Sequence, residues 1–175
     1  MQTGTDPVDA AVFRAVMRRF ATGVTVVSRM RDGQPDGMTV NAFLSVSMTP
    51  PLALVSIRRE SMFARQTALG ERYGVNFLAE RQERLSAHFG GRRDDNLKPR
   101  FSDWQGVPLL DGSLAHIVAR VTDIHPAGDH LLYIAEIEYL RCGADAPPLI
   151  FYGGHYKQLH AHEPPVQWRG EGDGW

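Results

Sequence analysis

A single cysteine, Cys142, stands in a chain of 175 residues. An intrachain disulfide and any multi-cysteine zinc site are therefore excluded, and a reducing, cytoplasmic setting is the expectation. Long apolar runs are missing too: nothing approaches the eighteen or so residues of a membrane-spanning helix. The start, MQTGTDPVDAAVF, puts Asp6 and Asp9 where a secretory leader carries basic residues, so a soluble protein with no membrane partner is expected. Charge of one sign is scarce, since 19 Lys+Arg against 20 Asp+Glu leave a net charge of -1. Bulk attraction to phosphate needs a basic excess, so no nucleic-acid partner is expected. Absent as well are G-x-G-x-x-G after a strand, the P-loop, G-x-S-x-G and H-E-x-x-H, each of which brings its own chemistry.

Turn-forming residues are plentiful. Gly 17 and Pro 11 make up about a sixth of the chain, more than a helical bundle carries and suited to many short strands. Asp6-Pro7 is placed to open a helix, with Asp9 in its first turn and Val12, Phe13, Val16, Met17 and Phe20 on one face; Gly23 ends it. Strands are predicted over 24–27, over 38–48 as one segment breaking into serines, and over 52–57, 73–78, 113–124, 131–140 and 149–152. Short helices are predicted over 61–69 and 80–89, and 92–112 reads as a long irregular loop. Sequential strands with few helices favour a mostly β, antiparallel barrel over a Rossmann sheet. Residues 1–159 read as one domain. Residues 160–175 form a tail rich in Pro, Gly and charge, in which Trp168 and Trp175 are expected to pack on a neighbouring subunit.

Most of the reactive side chains have plain explanations. Cys142 has only Arg141 as a charged neighbour in sequence and reads as an inert thiol. His160, His162 and Glu163, joined by His155, are of metal-ligand type but read as solvated polar sequence, so no metal site is expected. Arg92-Arg93 is cancelled by Asp94-Asp95. The stretch from Gly37 to Pro51 is different, because it sets Thr39, Asn41, Ser45 and Ser47 in a strand that ends in Pro-Pro. One reading is an ordinary strand with its polar side in water. The other is a strand end that offers peptide groups and hydroxyls to a ligand such as a flavin, whose pyrimidine edge alternates acceptors and donors. Ser45, Val46 and Ser47 could then serve the ribityl chain and phosphate, and Ser61 a phosphate near a helix start. Arg58, Arg59, Lys98 and Arg100 are the available cations.

These residues resemble the flavin reductase-like family, the small NAD(P)H:flavin oxidoreductase components of two-component flavin-dependent monooxygenases. The likeness runs from about Phe13 to Leu159. It rests on Phe13-Arg14, on Phe20-Ala-Thr-Gly-Val-Thr-Val-Val27, and on G-M-T-V-N-A-F-x-S-V-S-x-x-P-P-L from Gly37. It continues through Gly74-Val-Asn-Phe-Leu78, Leu85-Ser86-x-x-Phe89, Gly128-Asp129-His130 and Pro148-Leu-Ile-Phe-Tyr152. The resemblance implies the split β-barrel of FMN-binding proteins, an antiparallel Greek-key barrel that forms a homodimer. It implies FMN or FAD as the flavin and NADH or NADPH as the electron donor, with reduced flavin passed to a partner monooxygenase.

By the same resemblance Thr39, Val40, Asn41 and Ala42 contact the flavin ring. Ser45, Val46 and Ser47 hold its tail, with Ser56, Ile57, Ser61 and Met62 nearby and Lys98 or Arg100 as a basic contact. Phe89 and Gly90 cover the tail. His130 is the catalytic position and lies beside the nicotinamide, with Tyr152, His155 and Tyr156 also on the nicotinamide side. Where relatives read Tyr-Arg-Gly-Arg-Tyr, this chain reads Tyr152-Gly-Gly-His-Tyr156, which removes two guanidinium groups suited to phosphate. Two other readings of the residues stay open: a protein that keeps FMN bound for electron transfer, and a catalytically silent flavin-binding module.

Overall fold

The structure, a computed structural model, describes residues 8–143 and 145–159. Strands dominate. In β5 (Pro51–Arg58) Ala53, Val55 and Ile57 alternate into the interior, the period-two pattern of a half-buried strand. A seven-stranded antiparallel sheet runs in the order β3 (Gln34–Val40), β2 (Thr25–Arg31), β6 (Arg72–Phe77), β9 (Ala115–Ala127), β10 (His130–Cys142), β5, β4 (Phe43–Met48). A smaller sheet joins β1 (Thr22–Gly23) to β11 (Ile150–Tyr152) and β12 (His155–Lys157).

Strands β3 and β4 stand at opposite edges of the large sheet, yet only Asn41 and Ala42 separate them. A link of that length reaches at most about 11 Å, so the sheet curls until its edges are neighbours. The core records the curl: Val27, Val40, Val55, Ile57, Tyr73, Val75, Ala119, Val121 and Tyr133 form one buried cluster, with Phe43 of the far edge strand β4 packed against it. Phe63, from the short helix α2 (Met62–Gln66), closes one end with edge-to-face contacts to Tyr73 at 5.6 Å and Tyr133 at 5.8 Å. Outside the curl, helix α3 (Glu83–Phe89) packs Leu85 and Phe89 against Val26, Leu78, Leu110 and Leu149.

Four local expectations change. Helix α1 (Ala10–Met17) is capped by Asp9, whose Oδ1 accepts from the N–H groups of Ala11 (2.8 Å) and Val12 (2.9 Å); Asp6 and Pro7 lie outside the described residues. It stops well before Gly23, because Thr22 and Gly23 pair with Phe151 and Ile150. The single strand expected over 38–48 is two strands, broken where the chain crosses between sheet edges. The expected loop over 92–112 contains a hairpin, β7 (Phe101–Trp104) and β8 (Val107–Leu110), turned by Gln105 and Gly106 in left-handed conformations. Strand β8 is buried along its whole length, so it shows no alternation, and Pro108 is tolerated because β8 pairs only with β7. The helix expected over 80–89 is a 3-10 turn followed by α3.

Candidate functional site

A cleft of about 500 Å³ opens at the seam where the curled edges approach. Met38, Thr39, Val40, Asn41 and Ala42 form one wall and Ser56, Ile57 and Arg58 the other, with Phe89, Gly90 and Gly91 above and Ser61 and His130 at the ends. The topology leaves unpaired backbone on both walls. Strand β3 is paired only with β2. Strand β5 runs past the start of β4, its last bond on that side being Ser56 N–H to the Ala42 carbonyl at 3.0 Å. Two peptide edges without strand partners suit the edge of a flat heterocycle that itself alternates donors and acceptors.

The hydroxyl of Thr39 is already engaged: it donates to the Ser86 carbonyl at 2.7 Å, while Ser86 Oγ lies 2.8 Å from Tyr156 Oη. This chain of contacts fastens β3 to α3 and α3 to β12, so Thr39 offers the cleft its backbone rather than its hydroxyl. Ser61 caps α2, its Oγ accepting from Ala64 N–H at 3.1 Å; the hydroxyl proton is left to donate. Arg58 is exposed and makes no ion pair among the described residues.

His130 stands opposite Arg58 in the β10–β5 register, and its Nδ1 lies 2.8 Å from Asp129 Oδ1. The hydrogen bond from His130 holds the Asp129 carboxyl below its usual range, so the carboxylate accepts and Nδ1 carries the proton. Nε2 is thereby left for a ligand. The hairpin turn that presents this pair is pinned to the end of β5 by Arg59, whose N–H donates to the Asp129 carbonyl at 3.1 Å and whose Nε donates to the His130 carbonyl at 3.3 Å.

The structure thus brings Thr39, Val40, Asn41, Ala42, Ser56, Ile57, Ser61, Phe89, Gly90 and His130 to one cleft. It does not bring the other expected residues there. Ser45, Val46 and Ser47 lie farther along edge strand β4, which bulges between Ser45 and Ser47. Met62 borders a neighbouring hollow of about 170 Å³ with Arg29 and Arg31. Arg100 precedes β7 and receives Asp111 N–H on its carbonyl. Tyr152, His155 and Tyr156 belong to the β11–β12 hairpin; Gly153 there takes a left-handed conformation and its N–H donates to the Arg18 carbonyl. His160, His162, Glu163, Trp168 and Trp175 lie outside the described residues.

Sequence reasoning missed a second chamber. It has about 550 Å³, is lined by Arg31, Asp36, His88, Arg93, Asp94 and Phe101 among others, and shares Phe89 and Gly91 with the seam cleft. Its residues come from β2, β3, α3, the segment after α3 and the start of β7, and no contiguous motif marks it.

The family model described as "Flavin reductase like domain" matches residues 17–160. The chain is 42% identical over 149 residues to an NADH-dependent flavin reductase of a Rhodococcus species, covering 83% of this chain and 84% of that one. It is 34% identical over 169 residues to the reductase subunit HsaB of a flavin-dependent monooxygenase of Mycobacterium tuberculosis, covering 93% and 89% respectively. Among solved structures it is similar to flavin reductase PheA2 in its native state, with TM-score 0.83 and 37% identity, over 88% of this chain and 100% of the other.

Proposed function

The chain belongs to the flavin reductase-like domain family, and from that footing we propose that it is an NADH-dependent flavin reductase that supplies reduced flavin to a partner monooxygenase in the cytoplasm. The observation that carries the reading is the seam cleft, with two facing peptide edges that lack strand partners and His130 at one end. Its volume of about 500 Å³ falls within the usual range for small-molecule sites, and its mix of backbone, hydroxyl and one free guanidinium suits a flavin mononucleotide. Bound in this cleft, a flavin would supply a two-electron acceptor at N5 for the hydride of nicotinamide C4, leaving oxidised nicotinamide and reduced flavin.

The protein's share of this is positioning and electrostatics. Peptide groups of Thr39 to Ala42 and of Ser56 to Arg58 that the Ser56 N–H to Ala42 carbonyl bond leaves free hold the ring edge. Arg58 and the Ser61 hydroxyl hold the phosphate, a better-placed pair than Ser45 and Ser47 out on β4. Phe89 and Gly90 cover the tail. His130, its Nδ1–H donating to the Asp129 carboxylate, presents Nε2 to the carboxamide of the nicotinamide. An open cleft with one free cation suits a flavin that comes and goes, which favours a diffusible product over a permanently held group.

The curled sheet with its open seam supports a split β-barrel with Greek-key connections. Val12, Phe13, Val16 and Met17 of α1 are each more than half exposed, at 59%, 54%, 56% and 52%, an apolar face that a lone chain would leave in water. Leu44 and Met48 on β4 are exposed as well, and an apolar hollow of about 360 Å³ lies between Phe20, Phe43, Phe77 and Leu149. A second copy covering these surfaces makes a homodimer. The test mixes the protein with NADH and free FMN or FAD without oxygen. Decay of the NADH band together with bleaching of the flavin is expected; flavin binding without turnover would leave a silent module, and no spectral response to flavin would sink the reading.

A further inference from the structure

Ser86 is fully buried in α3 and does not itself line the seam cleft. Its carbonyl accepts twice, from the Thr39 hydroxyl at 2.7 Å and from the Gly90 N–H at 2.9 Å. Thr39 lies on one wall of the cleft and Gly90 above it, so this one oxygen is the joint between wall and cover. The fit there is close: a Cβ on Gly90 would stand 2.9 Å from the Ser86 oxygen and 3.8 Å from Thr39 Cβ. A shift of the Ser86 peptide therefore moves Gly90 relative to β3 and changes the width of the cleft.

Two buried polar side chains hold this helix in place, Gln82 at its start and Ser86 nearer its end. Gln82 accepts from Ala79 N–H at 3.0 Å and donates to the Asp111 carbonyl at 2.9 Å. A buried hydroxyl is costly without a partner, and the partner of Ser86 is Tyr156, with Oγ and Oη 2.8 Å apart. Tyr156 stands on β12 with its ring edge-to-face on Phe151 at 5.7 Å, and β12 hangs on β11, which pairs with β1. It borders a separate hollow of about 450 Å³ with Glu80, Glu83 and Lys157 and is not among the residues lining the seam cleft. Its hydroxyl ties the small sheet to the helix turn that covers the cleft.

We infer that Tyr156 is a positioning residue for the flavin: without touching it, the Tyr156 hydroxyl fixes the Ser86 peptide and, through it, the spacing of Gly90 and Thr39 between which the flavin is held. The inference rests on the flavin reductase reading of the cleft. It sets Tyr156 behind the cover of the flavin rather than beside the nicotinamide, where the resemblance places it.

The test uses the full chain and Tyr156→Phe, which removes the hydroxyl and keeps the ring, with Ser86→Ala removing the other partner. Flavin affinity is read by fluorescence, amide hydrogen exchange at Gly90 by NMR in the flavin-free protein, and the KM for NADH at saturating FMN. In Tyr156→Phe, FMN and riboflavin weaken alike by about three- to tenfold. Exchange at Gly90 quickens by a similar factor, and the KM for NADH stays within about twofold of wild type. Ser86→Ala does the same, and the double variant is no worse than either single one, because both remove one shared bond. Flavin affinity or Gly90 exchange within about twofold of wild type in Tyr156→Phe, whatever the melting temperature does, would overturn the inference. So would a raised KM for NADH with flavin affinity unmoved, which marks a nicotinamide contact. Wild-type protein that binds neither flavin refutes the cleft reading, whereas normal wild-type binding with an unresponsive Tyr156→Phe refutes the positioning role alone.

Discussion

Ser61 caps α2 and lines the seam cleft, and substituting it two ways tests the phosphate assignment. Its Oγ accepts the Ala64 N–H at 3.1 Å as the cap of α2, and its hydroxyl borders the seam cleft beside Arg58. Ser61→Ala removes both. Loss of a cap costs about 1 kcal/mol, which lowers the melting temperature by roughly 2–4 °C in a domain of this size. Loss of one partly solvated bond to phosphate weakens FMN by about 1 kcal/mol, or roughly fivefold. Ser61→Asp keeps the cap, since Asp caps as well as Ser, but sets a carboxylate against the phosphate. At a separation of about 5 Å and an effective dielectric between 20 and 80, that repulsion is about 1–3 kcal/mol, or roughly 5- to 150-fold in affinity. Riboflavin, which has no phosphate, should bind Ser61→Asp as it binds wild type. Fluorescence titration of both flavins, repeated at high salt where the penalty shrinks, supplies the measurement. If Ser61→Asp binds FMN as tightly as wild type, or weakens FMN and riboflavin equally, the phosphate does not lie at Ser61.

Asn76 makes four buried hydrogen bonds, donating to the Val26 carbonyl (2.9 Å) and Ser28 Oγ (2.9 Å) and accepting from Leu110 N–H (2.8 Å) and His116 Nδ1 (3.1 Å). Asn76→Ala orphans two buried donors and should cost about 2–5 kcal/mol, seen as a lower urea midpoint at unchanged slope; a loss below about 1 kcal/mol would mean that water replaces the amide. His116, its Nδ1 proton donated to Asn76, is held below the usual histidine value, first by burial and then by Arg141. The unfolded chain therefore takes up a proton near pH 6.5 before the native one does, so stability is level above that pH and falls as pH drops toward the native value. Melting curves from about pH 8 to 5 should show the fall, and His116→Gln should flatten it; a melting temperature that rises on acidification would reverse the assignment.

The mostly β class was legible because β5 alternates along its length, the β9–β10 hairpin alternates in part, and the Gly128 turn announces itself. The residues that line the cleft were also legible, although through a resemblance that matches Gly37 to Leu52 as a string rather than through any rule that places them in space. What stayed hidden was hidden for physical reasons. Strand β8 is buried on both faces, and a strand without a wet side has no period to detect. The break between β3 and β4 falls inside a run of β-formers, because Asn41 and Ala42 cross between sheet edges without Gly or Pro to mark them. Ser45 and Ser47 looked suited to a ligand because they are hydroxyls next to the ring-contacting stretch. The register of β4 on β5 places Ser45 opposite Ala53 and Ser47 opposite Leu52, away from the Ser56–Arg58 end that lines the cleft.

The two-residue crossing also explains why a site exists at this place. A sheet whose edge strands are consecutive in sequence must curl, and here β3 and β4 come together without pairing with each other. The Asn41-Ala42 link instead starts β4 beside Val55, past the end of β3, and leaves β5 from Ile57 onward facing β3 across a gap. Unpaired edges of this kind normally invite another strand; here α3, held to β3 through Thr39 and Ser86, sets Phe89 and Gly90 beside the gap. His130 reaches the same gap because the β9–β10 hairpin runs in register to Arg58, where β5 loses β4 as a neighbour. Groups separated by some ninety residues of sequence meet through strand register alone, which is why no local motif of catalytic residues is needed to build the site.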